Sequence, residues 1–218
     1  MKYWKIASSA SIVCLIVFSA YQSLAVVNAR NKTPGIFGEL LAERNTPLKL
    51  EDIPKNRIHQ LLLIEDPGFY HHNGIDFSTP GAGLTTITQG MVKYLYFDHF
   101  KPGIMKIEQS LIAWLAVGAL VNKNDQLTVF INTAYLGTDE GVVVRGFAMA
   151  AKRYFGKSFE ELSNNEYLSL VAMLIGPDAF SIKHHPGVNG ERVKRIKDVL
   201  SGEYKPDGLG DVYYGQNI

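Results

Sequence analysis

One cysteine, Cys14, is all the thiol the sequence contains, which excludes an intramolecular disulfide framework and a zinc site built on several thiolates. In an apolar N-terminal stretch it reads as a small hydrophobic residue rather than a reactive group. An excess of charge of either sign is also missing. Lys and Arg number 22 against 21 Asp and Glu, a net charge of +1. A protein that coats nucleic acid through a diffuse positive field is therefore excluded, and any positive site has to be local. No solenoid-length repeat and no low-complexity tract occurs. What is present, 46% hydrophobic and 20% charged residues in a chain of 218, excludes disordered and collagen-like classes. It is enough for one domain of ordinary size and a small lobe.

Long hydrophobic runs are scarce too, with one exception: from Ile6 to Val27 the chain carries no charge. At about 1.5 Å per residue this run matches the ~30 Å hydrocarbon core of a bilayer. Ser8, Ser9, Ser11, Ser19, Gln22 and Ser23 interrupt it, and the densest part is Ile12 to Phe18. A retained transmembrane anchor over residues 1–30 is the preferred reading. The alternative is a cleaved signal peptide, with Lys2 and Lys5 as its charged end and Val27-Asn28-Ala29 as its cleavage site. Arg30 and Lys32 on the far flank leave the orientation open. Residues 31–55, with Pro34, Gly35, Pro47 and Pro54, are expected to form an irregular linker. Helix signals then dominate: Asn56 to Glu65, Lys106 to Leu120, Asn124 to Leu136, Arg145 to Phe155, and Gly190 to Leu200. A further helix opens on the capping box Ser163-Asn164-Asn165-Glu166 and stops at Gly176-Pro177. The domain over 56–202 is thus mostly α with few strands demanded, and residues 203–218 read as a loose tail.

The densest polar cluster runs from Glu65 to Asp76, where an apolar helix delivers two carboxylates to a Pro-Gly break. A carboxylate held there and partly shielded from water gains proton affinity and can serve as a general base. On composition alone the preferred reading of Glu65 and Asp66 is solvated helix-end charges. His71, His72 and Asp76 invite a metal reading, but adjacent histidines diverge and no further ligand follows at metal-site spacing, so no metal site is assigned; His184 and His185 fare no better. A second cluster, Gly81 to Gly90, combines flexible backbone, hydroxyls and a lysine one turn on, Lys93. Its amides could hold phosphate oxygens, although the P-loop spacing is absent. Glu108 lies in the first turn of the Lys106 helix, where the dipole favours its charge.

Together these clusters resemble the glycosyltransferase family 51 domain, the peptidoglycan transglycosylase of monofunctional enzymes and of bifunctional penicillin-binding proteins. The first family motif, EDxxFxxHxGxD, is matched by Glu65, Asp66, Phe69, His72, Gly74 and Asp76. The second, GGSTITQQxxKN, survives as Gly83, Thr86, Ile87, Thr88, Gln89 and Lys93, with departures at Leu84, Thr85, Gly90 and Tyr94. The third, RKxxE, retains Glu108, with Ile104 and Met105 where the cations belong and Lys106 as a substitute one position on. The fourth, KxxILExYLN, appears as Lys123, Leu127, Ile131 and Asn132, and the stretch Gly146, Ala148, Ala150, Tyr154-Phe155-Gly156-Lys157 also fits. The resemblance covers Arg57 to Leu200 and leaves no room in these residues for a transpeptidase domain.

The resemblance implies a lysozyme-like large lobe, a small membrane-proximal jaw lobe and, before them, an N-terminal transmembrane helix. It implies a peptidoglycan glycosyltransferase on the outer face of the bacterial plasma membrane, polymerising lipid II onto a growing glycan chain with release of undecaprenyl pyrophosphate. Catalytic roles fall to Glu65, Asp66 and Glu108, and substrate contacts to Thr86, Gln89, Lys93 and Lys106. Phe69, His72, Gly74, Asp76, Lys123 and Asn132 hold the motifs in shape. No cofactor is required, with Mg or Mn assistance at the pyrophosphate left open; membrane lipid and cell-wall synthesis proteins are the further partners, and nucleic acid is not. A catalytically impaired lipid-II-binding scaffold on the same fold is the alternative, because two cations of the third motif are gone. A hydrolase is more distant.

Overall fold

The N-terminal apolar run opens a much longer helix. In the computed structural model, which describes the backbone of residues 2–215 and the side chains of 11–215, α1 spans Lys2–Leu40. The side chains of Lys2 and Lys5 and the last three positions of the tail lie outside the described residues. The stretch Ser11–Leu40 is long and apolar enough to cross a membrane, with a mean hydropathy of 1.9 in its best window. The expected linker over 31–55 is corrected here, since its first ten residues are helical. Pro34 deletes one backbone bond, but α1 buries Ala29, Thr33 and Phe37 in its contact with α4 and the turn that follows α4. Arg30 donates to the Leu115 carbonyl, and the Thr33 hydroxyl to the Ala29 carbonyl at 2.7 Å. Burying a Phe stabilises by about 2–3 kcal/mol, so packing offsets the lost bond. Only beyond Leu40 is the chain irregular, with short 3-10 turns at Glu43–Asn45 and Leu50–Asp52.

The remaining chain is mostly helical. It comprises α2 Lys55–Glu65, α3 Ile87–Leu95, α4 Ile104–Ile112, α5 Gly118–Leu120, α6 Lys123–Thr133, α7 Phe147–Phe155, α8 Asn164–Met173 and α9 Pro186–Ser201. Ala113–Val117, between α4 and α5, widens to a π turn. The chain packs closely here: the Ala113 carbonyl lies where a Cβ on Gly74 would be, and Gly74 has φ 99°. The capping box at Ser163 is present as expected. A second, not anticipated from sequence, starts α3: the Thr86 hydroxyl accepts from the Gln89 amide and the Gln89 side chain accepts from the Thr86 amide. Pro186 opens α9 and Gly202, in the left-handed region, closes it.

The expected helix to Leu136 stops at Thr133, because Tyr135–Asp139 is β1, paired antiparallel with β2 Val142–Arg145. Glu140 and Gly141 both have positive φ, 49° and 78°, the turn that matches strand twist. Three successive valines, 142–144, carry the β preference of the second strand. Around these elements one core collects Leu61, Met91, Leu127, Phe147, Leu168 and Ile196, all under 2% exposed. Within it Arg57 is buried: its guanidinium donates to the Phe159 and Leu162 carbonyls at 2.6 and 2.5 Å and stacks on the Phe159 and Tyr167 rings. The tail is no loose extension. Residues 204–214 fold back over the Gly81–Gly83 loop and bury Tyr214.

Candidate active site

Helix α2 ends on Glu65, and its extended C-cap, Asp66, turns the chain into the motif loop. Asp66 is fully buried. Its Oδ1 accepts from His72 Nε2 at 2.8 Å and its Oδ2 from the Ile87 amide at 3.0 Å. The Gly74 amide donates to His72 Nδ1 at 3.0 Å, which puts the imidazole proton on Nε2 and aims it at Asp66. The Thr86 hydroxyl donates to the Gly74 carbonyl at 2.7 Å, and Gln89 Nε2 to Ser110 Oγ at 2.8 Å. Burial works against ionisation of Asp76, but hydrogen bonds from Thr79 and Ser78 outweigh it and hold the carboxyl at about 2. Asp66, His72 and Asp76 each bring a ligand atom within 4.8 Å of the others. Those atoms serve hydrogen bonds inside the loop, so their geometry adds nothing in favour of an ion.

Glu65 is half-buried and lines a cleft of about 450 Å³ together with the loop from Ala82 to Ile87, Lys93, Tyr94, Tyr135, Ile175 and Val212. Burial pushes its carboxyl up to about 7; the adjacent Asp66 charge adds to this and Arg192 opposes it. A carboxylate of that proton affinity is about half ionised at neutral pH and is able both to take a proton and to hold it. Among the described residues it is the only carboxylate lining this cleft. Lys93 stands exposed on the wall, and Lys106 reaches it by donating to Thr85 Oγ1 at 2.8 Å. Burial and the nearby Lys93 charge pull Lys106 below its ordinary value. Two cations therefore converge on one part of the cleft. A larger hollow of about 580 Å³ beside α6 is lined by Glu43, Glu51 and Asp125 against one cation, Lys49, a net sign that repels phosphate.

Of the residues singled out from sequence, Glu65, Thr86 and Lys93 line the cleft and Lys106 reaches its wall. Glu108 does not join them: it lies in a separate pocket against α1 with Lys32, where the Tyr21 hydroxyl donates to it at 3.3 Å. Tyr94 lines both cavities. Thr86 and Gln89, expected to touch substrate, are 1% and 2% exposed. The Thr86 hydroxyl and Gln89 Oε1 serve the cap of α3, and Gln89 Nε2 is taken by Ser110. Phe69 is buried with Lys123 Nζ 4.2 Å above its ring; burial pulls that ammonium down to about 8 against the Asp66 charge. Asn132 clamps the strand of chain after α1, accepting from the Leu48 amide at 3.0 Å and donating to its carbonyl at 2.8 Å.

Three residues escaped the sequence reading. Arg192 is 1% exposed behind Glu65, and the spacing of Asn189, Arg192, Val193 and Ile196 on one helical face was the available signal. Val212 and Tyr214 come from the tail, where no period exists to reveal them.

A family model described as Transglycosylase matches residues 34–201. The chain is 33% identical over 171 residues to penicillin-binding protein 1B of Buchnera aphidicola subsp. Acyrthosiphon pisum, covering 70% of this chain and 22% of that protein. It is 31% identical over 185 residues to penicillin-binding protein 1B of Haemophilus influenzae, covering 79% and 23% respectively. With penicillin-binding protein 1A of Neisseria cinerea it shares 32% over 192 residues, 82% of this chain and 23% of the relative. The chain thus spans less than a quarter of the length of these relatives.

Proposed function

The chain belongs to the transglycosylase family, and from that premise we propose that it is a peptidoglycan glycosyltransferase that polymerises lipid II. The observation that carries the reading is one half-buried carboxylate, raised to about 7, in a cleft whose wall holds Lys93 and is reached by Lys106. Glu65 takes the proton of the acceptor GlcNAc 4-hydroxyl as its oxygen attacks the anomeric carbon of the growing chain. The bond from that carbon to the pyrophosphate oxygen breaks with inversion, and its electron pair leaves on undecaprenyl pyrophosphate. Negative charge grows on the leaving group, and Lys93 and Lys106 offset it. A pyrophosphate departs as a stable anion and needs no acid. Sugar hydrolysis commonly uses a carboxylate pair, and the single carboxylate here disfavours it.

On this reading α1 anchors the protein in the bacterial plasma membrane, with the domain on the outer face. The apolar side chains exposed on α1, Ile12, Leu15, Ile16 and Val17, and Ile104, Ile107 and Trp114 nearby on the chain's α4 and π turn, suit a lipid boundary. No cofactor is needed for the step; chelation by EDTA reads any Mg or Mn assistance. The second reading, a lipid-II-binding scaffold, is favoured by one observation: Glu108 stands outside the Glu65 cleft. Labelled lipid II and the full-length protein in detergent separate the two. Polymer from the wild type and none from Glu65→Gln supports the enzyme. Lipid II bound without polymer under any condition supports the scaffold.

A further inference from the structure

Gly81 and Gly83, whose amides the sequence offered to phosphate, donate instead to the carbonyls of Gly208 and Leu209, at 3.0 and 2.8 Å. Both glycines have positive φ, 78° and 70°. The lack of a Cβ is what admits the tail: one added at Gly81 would stand 3.0 Å from the Pro206 ring, and one at Gly83 2.9 Å from a Val212 methyl. The segment is braced within itself, because Asp211 accepts from the Tyr204 hydroxyl at 2.6 Å and from the Asp207 and Gly215 amides at 3.0 and 3.2 Å. It is also fastened to the site. Arg192 donates to the Val212 carbonyl at 3.0 Å beneath the rings of Tyr213 and Tyr214, and the Tyr214 hydroxyl donates at 3.1 Å to the carbonyl of Ile64, the residue before Glu65. Between these two anchors Val212 lines the cleft.

We infer that Tyr204–Tyr214 is a strap that forms one wall of the Glu65 cleft, with Val212 the residue that sets the cleft's width beside Gly83 for the lipid-linked disaccharide. The strap lies beyond residue 201, where the family match ends. The identity of the occupant rests on the proposed glycosyl transfer; the wall itself does not. A wall acts sterically, so a larger side chain at position 212 obstructs entry without touching the base.

The test uses the full-length protein in detergent, with fluorescent lipid II as the probe and amide hydrogen exchange as a second readout. Val212→Trp is expected to raise KM and weaken lipid II binding by about fivefold or more, with kcat changed less than about twofold. Asp211→Asn is expected to unbrace the strap and speed exchange at the Gly81 and Gly83 amides, which are protected in the wild type. A Val212→Trp variant that binds and turns over lipid II like wild type would overturn the wall. So would wild-type Gly81 and Gly83 amides exchanging as fast as an open loop. A wild type that binds no lipid II defeats the substrate reading alone, and exchange at the two glycines then decides the strap.

Discussion

Asp66 Oδ1 accepts the His72 Nε2 proton at 2.8 Å while its other oxygen accepts from the Ile87 amide at 3.0 Å. One buried carboxylate therefore ties the end of α2 to the start of α3 and fixes the loop between them. Glu65, its neighbour in sequence, is left free of this network to face the cleft. Two adjacent acids thus have different surroundings: Asp66 is spent inside the fold and Glu65 faces the cleft.

Replacing Asp66 by Ala orphans a buried imidazole N–H and the first amide of α3. Each loss costs about 1–3 kcal/mol, so Asp66→Ala should lower stability in urea unfolding by about 2–5 kcal/mol. Equal midpoints for variant and wild type would reject the tie.

Because the Glu65 carboxyl is held at about 7, the polymerisation rate should climb as pH rises through that value, when the base form appears. Initial rates between pH 5.5 and 8.5 read it. A rate flat across this range would mean that another group accepts the proton.

The same shift has a stability consequence of opposite sense. The folded state binds a proton at Glu65 more tightly than the unfolded chain, whose carboxyl lies near 4.5. Stability is therefore full below 4.5 and is lost as pH rises to about 7. Glu65→Gln removes this dependence and should be the more thermostable protein at pH 8, by on the order of 1–3 kcal/mol, with the gap closing at pH 5. Calorimetry at both pH values decides it.

Lys106 bonds Thr85 on the cleft wall, so Lys106→Ala should slow polymerisation on the order of tenfold to a thousandfold. Ile104 is 65% exposed and two helical positions away, on nearly the opposite face. Ile104→Arg should therefore fail to restore the rate of Lys106→Ala. Recovery of the rate would place the diphosphate on the other side of α4.

Helix α1 should hold the protein in the membrane fraction through a high-salt wash, since apolar burial does not depend on ionic attraction. Mass spectrometry finding a mature N-terminus at Arg30 would replace the anchor by a signal peptide.

Periodicity and punctuation made most helices legible, because caps and glycine stops act within a few residues: Ser163 with Glu166 opened α8, and Gly156 and Gly202 closed α7 and α9. The complete first motif likewise pointed to Glu65 before any coordinates. Other features were written in the chain but outweighed locally. Pro34 and Gly35 spoke against helix, yet α1 runs to Leu40 with Thr33 and Phe37 buried on its packed face. The sequence by itself determined the helical class and the apolar N-terminal run, which rest on short-range chemistry, while the base candidate came from the resemblance of the first motif to a family. Tertiary structure alone decided that Glu108 stands apart from Glu65, that Thr86 and Gln89 cap α3, and that Arg192, Val212 and Tyr214 gather around Glu65 and its cleft. Those outcomes depend on contacts between residues as far apart as Ile64 and Tyr214, and no local pattern encodes a pairing at that separation.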